Sequence, residues 1–61
     1  MKTIKEAYPN IKQGCTLTNK DKEEYKVTHI YEYTIQVTSI YNNIYLFTTN
    51  DIKHYKINKN I

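Results

Sequence analysis

Between Val27 and Thr49 the chain carries one formal charge, Glu32, and no lysine, although lysine supplies all nine basic charges of the 61-residue sequence. The stretch is instead β-branched and aromatic, with Tyr31, Tyr33, Tyr41 and Tyr45 set among Val, Ile and Thr. Such side chains are stiff at χ1 and fit a pleated, half-buried surface better than a helix. The chain is therefore expected to be mainly β. Its uncharged middle, between basic ends, points to contact with a partner and gives no sign of a reaction.

Length limits how that β region can be stabilised. A 61-residue chain makes one domain, burying roughly 60% of its unfolded surface for a stability of about 3–5 kcal/mol. Cys15 is the only cysteine, so no internal disulfide can add to this. Seven tyrosines against one Phe and no Trp suit a domain with more shell than interior, because Tyr covers apolar surface while its hydroxyl stays wet. Ile, Lys, Asn and Tyr supply 32 of the 61 residues and Arg is absent, a bias expected of an AT-rich genome such as a low-GC Gram-positive bacterium or its phage. Met1 to Glu6 lacks the apolar core of a secretory signal, and Ile44 to Phe47 is the longest apolar run, so a cytoplasmic protein is expected.

Thr3, with Glu6 three residues on, has the spacing of a capping box and predicts one or two helical turns ending before Pro9. Gly14 precedes a first strand at 15–18, and Asn19 to Lys22 form a polar turn. Residues 24–30 alternate, with Tyr25, Val27 and His29 on one side. A tight reversal at Tyr31-Glu32 leads to a strand at 33–41. Asn42-Asn43 then reads as a two-residue hairpin turn before a strand at 44–48, since Asn tolerates positive φ. Asn50 to His54 predicts one 3₁₀ turn carrying Ile52, before a last strand at 55–57.

This layout resembles the Src-homology-3-like small barrels, a superfamily that includes many small phage and bacterial proteins. The resemblance covers Gly14 to Ile57. It implies a five-stranded barrel at 14–57, covered by an N-terminal helical segment at 1–13 and followed by a frayed tail at 58–61. Trp and a paired-aromatic signature for a proline-peptide groove are both missing. Other members bind nucleic acid or protein surfaces, so the layout does not choose between them.

A two-residue turn at Asn42-Asn43 would set Ile40 opposite Tyr45 and Thr38 opposite Phe47. Alternation would then place Ile35, Val37, Tyr41, Ile44 and Leu46 on one face, with Ile40, Tyr45 and Phe47 on the other. A bulge near Ser39 would flip this register and make Phe47 core. In either register the middle strands carry more apolar side chains than one small interior holds. The surplus is covered by the N-terminal segment through Ile4 and Tyr8, by a second copy, or by another protein.

Chemistry finds little support. Cys15, His29 and His54 lack the paired short spacing of a zinc site and suggest no Cys-His nucleophile. The six acids fall in turns or beside lysines, and one glycine cannot make a phosphate-cradling loop. No cofactor or metal is expected. The expectation is a non-enzymatic protein-binding module with Tyr31, Ile40, Tyr45 and Phe47 as anchors and Tyr41 beside them. It suits a phage or mobile-element accessory protein that blocks a host factor by covering its surface. The alternative is a weak, non-sequence-specific nucleic-acid binder using Lys53, Tyr55, Lys56 and Lys59, with lysines on phosphates and Tyr stacking on bases.

Overall fold

In a computed structural model, residues 1–58 are described. The elements run α1 (Ile4–Ala7), β1 (Thr16–Thr18), β2 (Glu24–Ile30), β3 (Thr34–Ser39), β4 (Ile44–Thr48), α2 (Thr49–Ile52) and β5 (Lys56–Asn58). The five strands form one antiparallel sheet in the order β4-β3-β2-β1-β5. The mainly β expectation holds. Barrel closure does not: among the described residues β4 and β5 are opposite edges with no ladder between them. Side chains bridge the gap instead, with the Phe47 and Tyr55 rings 4.9 Å apart and Ile52 of the connecting α2 fully buried.

The core lies on the concave side: Leu17, Val27, Ile35, Val37 and Phe47 from the strands, closed by Ile4, Ile11, Cys15 and Ile52. The N-terminal segment belongs to this core. Thr3 and Glu6 make the reciprocal capping box, with Thr3 N–H donating to the Glu6 carboxylate at 2.8 Å. Ile4 N–H donates to the Glu32 carbonyl at 2.8 Å, and the Tyr8 hydroxyl to the Thr49 carbonyl at 3.3 Å. The segment is thus tied to the β2–β3 turn at one point and to the start of α2 at another.

Two hairpins share one construction. In the first, Asn19 N–H donates to Glu23 O and Lys22 N–H to Asn19 O. In the second, Ser39 N–H donates to Asn43 O and Asn42 N–H to Ser39 O. In each, the leading side chain accepts the amides two and four residues on: Asn19 Oδ1 from Asp21 and Glu23, Ser39 Oγ from Tyr41 and Asn43. In each, the third loop residue takes positive φ, 65° at both Lys22 and Asn42. These are three-residue loops, a known hairpin class whose last loop residue is left-handed.

The second hairpin corrects the expected two-residue turn, and with it the register. Ile35 pairs with Phe47, Val37 with Tyr45 and Thr38 with Ile44. Tyr45 and Phe47 therefore face the concave side with Ile35 and Val37, while Ile44 and Leu46 face outward. The physical reason is that Ser39 offers its hydroxyl to two loop amides, which stabilises the longer loop, and Asn42 alone takes the left-handed position. β3 accordingly spans Thr34–Ser39 and stops short of Tyr41.

A second shift lies in β2, where the register steps between Val27 and His29, leaving Thr28 as an extra residue. Thr28 Oγ donates to the Gln36 carbonyl and accepts from Gln36 Nε2, anchoring the bulge across to β3. His29, expected on the Tyr25/Val27 side, is therefore turned outward, and Ile30 packs against the core in its place. The remaining corrections are small. β1 starts at Thr16, β5 covers Lys56–Asn58, and the expected frayed tail is paired at Asn58, with 59–61 outside the described residues. The turn carrying Ile52 is α-helical, Lys53 N–H donating back to Thr49, and bonds of the 3₁₀ kind follow it at His54 and Tyr55.

Candidate functional site

The register divides the expected anchors. Phe47 is 9% exposed and belongs to the core, so it is no contact residue. Its ring sits 5.5 Å from Tyr25 and 6.4 Å from Tyr45, forming with Tyr55 an aromatic cluster at one end of the concave face. Tyr45 is half-exposed, with its ring edge-on to Tyr25 at 5.7 Å. Tyr31 is exposed but stands at the β2–β3 turn, stacked on His29 at 6.2 Å, with the length of β3 between it and Ile40. Ile40 and Tyr41 form the exposed tip of the β3–β4 hairpin. Of the expected set, the structure brings together Ile40, Tyr41 and Tyr45, and separates Tyr31 and Phe47 from them.

Two residues assigned to the core by the two-residue turn complete the surface: Ile44, 64% exposed, and Leu46, 61% exposed. They lie two apart on the outer side of β4, beside Thr38 and Gln36 of β3. The surplus of apolar side chains is present, with a different membership. No signal short of the loop type would have found it, because an odd-residue change in loop length exchanges the two faces of β4.

β4 is also an edge strand. Because Ser39 N–H bonds Asn43 O, alternation along the ladder puts the bonds to β3 at Tyr45 and Phe47. The amide and carbonyl groups of Ile44 and Leu46 then point off the sheet. At Thr48 the pattern ends, since its N–H and hydroxyl both donate to the Asp51 carboxylate, at 2.9 and 3.1 Å. Edge strands are normally protected by lysine, proline or an inward charge. Ile44–Thr48 has none of these.

The alternative basic site is placed less favourably. The Tyr55 ring packs on Phe47 and Tyr25, which occupies the face a base would stack on. Lys56 lies on the outer face of β5 opposite Thr18, and Lys53 caps α2. Lys59 lies outside the described residues.

Cys15, His29 and His54 are not brought together. Cys15 is buried, its Sγ accepting from Lys12 N–H at 3.3 Å, while both histidines are exposed. Among the described residues no group of three His, Cys, Asp or Glu could hold a metal, and no helix is long and apolar enough to cross a membrane.

The aromatic cluster has a pH signature. Burial raises the Tyr25 phenol above its ordinary value of 10.0, helped by the Glu23 charge. Burial likewise raises Tyr55, with Asp51 and Glu23 adding to it. A phenol that holds its proton more tightly when folded contributes stability that is complete below pH 10.0 and is lost as pH rises through the folded value. Urea midpoints should therefore fall above that pH, and should fall less in Tyr25→Phe, which lacks one of the two phenols. Equal falls in the two proteins would show the cluster to be open to water.

Compared with known proteins, this chain matches no family model, no curated protein and no solved structure.

Proposed function

We propose that the chain is a non-enzymatic protein-binding module that engages its partner along the β4 edge. Ile40, Tyr41, Ile44 and Leu46 provide the apolar contact, and the outward amides and carbonyls of Ile44 and Leu46 accept an added strand. The observation that carries the reading is the unprotected, uncharged edge with two large aliphatic side chains exposed on it. Tyrosine at the hairpin tip suits the same role, because it gives a large contact area for little lost rotamer freedom. The strand order and the helical turn before β5 support the resemblance to Src-homology-3-like domains, with the β4–β5 gap filled by side chains. On this reading the chain suits a small phage or mobile-element accessory protein that blocks a host factor by covering its working surface.

The test is partner capture by wild type, Leu46→Asp and Lys56→Glu, each checked for an unchanged melting curve. Leu46→Asp should lose the partner because a charge is placed on the contact edge, while Lys56→Glu keeps it. Capture should change little with salt, whereas a nucleic-acid complex held by lysines weakens steeply. A folded Leu46→Asp protein that retains every partner would remove the edge from consideration.

A further inference from the structure

The two hairpin tips stand side by side at one end of the sheet, and a cleft of about 260 Å³ opens between them. Tyr25, Tyr41 and Tyr45 wall it, and Glu23, Glu24 and Lys22 line the side of the first hairpin. One lysine against two glutamates leaves the cleft net negative. Among the described residues neither carboxylate is in an ion pair. Glu23 accepts only a neutral donor, the Asn19 side-chain amide at 2.9 Å. The Glu23 carboxylate, whose charge reaches Tyr25, therefore retains acceptor capacity beside the rings, with Glu24 adding charge from the other side of the strand.

We propose that this cleft binds a guanidinium group, the arginine side chain of a partner protein. Phenol faces attract a cation, and a planar guanidinium stacks on them while its fork of N–H groups donates to carboxylates; a lysine ammonium does the second but cannot stack. The cleft is smaller than the roughly 300–1,000 Å³ of small-molecule sites, so it suits one long side chain. The occupant is not a second copy, because the chain contains no arginine. Ile40, Tyr41 and Tyr45 adjoin both this cleft and the β4 edge, so a partner strand on the edge could place an arginine here. For the source of that arginine the proposal rests on the protein-binding reading; binding of the isolated group does not.

Titration of the isotope-labelled chain with N-acetyl-arginine amide, followed by amide chemical shifts, tests the site directly. N-acetyl-citrulline amide, a planar neutral analogue, is the control. The arginine probe should move the Glu23–Tyr25 and Ile40–Tyr45 signals saturably, the citrulline probe should not, and Glu23→Gln, which keeps an acceptor for Asn19, should weaken binding by up to about fivefold. Leu46→Asp, altered on the opposite face, should bind the probe as wild type does. Loss of the partner in Leu46→Asp with probe binding kept would therefore separate the two sites. Equal shifts from both probes, or no shift in this cleft with arginine, would overturn the guanidinium site and leave the edge reading untouched.

Discussion

Phe47→Ala should cost about 3–5 kcal/mol, the range for removing a large aromatic side chain from a core. A domain of this size holds only about that much, so the variant should be largely unfolded without any denaturant. The reason is the number of elements that meet at one ring. Phe47 pairs across the sheet with Ile35, packs on Tyr55 at 4.9 Å, and touches Tyr25 and Tyr45. It therefore joins β4 to the residue leading into β5, where among the described residues no backbone ladder does. Leu46→Ala, one residue earlier, should change stability by under about 0.5 kcal/mol, because its side chain already faces water. Urea denaturation of the pair reads out the register. Equal losses at 46 and 47 would contradict the assignment of faces on β4.

Ile4→Ala comes next, at about 2–5 kcal/mol. A four-residue helix has no stability of its own, since nucleation is unfavourable and few bonds follow it. Its geometry is local, set by the Thr3–Glu6 cap, but its attachment depends on Ile4, which is buried beneath the strands. Removing that side chain should release the segment, and amide exchange at Ile4, whose N–H bonds Glu32, should become fast. Lys5→Ala on the exposed side is the control and should leave exchange unchanged. Slow exchange at position 4 in the alanine variant would mean that the Glu32 bond, the Tyr8–Thr49 bond and buried Ile11 hold the segment without the Ile4 side chain.

Much of the fold was legible in the sequence because it rested on local chemistry. The Thr3–Glu6 spacing gave the cap, Pro9 the end of the helical turn, and the Glu24–Ile30 alternation a strand with the expected limits. Faces were harder. Asn42-Asn43 satisfies the pattern for a two-residue turn, but the loop that forms is set by Ser39, whose hydroxyl holds two amides. Serine has many other uses, so its presence before the turn does not announce the loop. Moving Tyr45 and Phe47 inward and Ile44 and Leu46 outward changed most of the candidate site while leaving strand positions nearly intact. Barrel closure was not legible either, because whether the consecutive strands β4 and β5 pair depends on the path of the helical turn between them and not on a pattern within either strand.

Thr28 carries a consequence for how this chain tolerates changes in length. Deleting it would leave Val27, His29 and Ile30 in phase along an unbroken ladder at the loss of its bonds to Gln36, whereas losing Lys26 would turn Tyr25 away from the aromatic cluster. A residue gained or lost at the Lys20–Lys22 or Ile40–Asn42 loops meets water and can be absorbed there. Drift in this lineage by insertion and deletion should thus collect at those two tips, the same tips that border the guanidinium cleft. Partner preference could then change by altering loop length while the interior stays fixed.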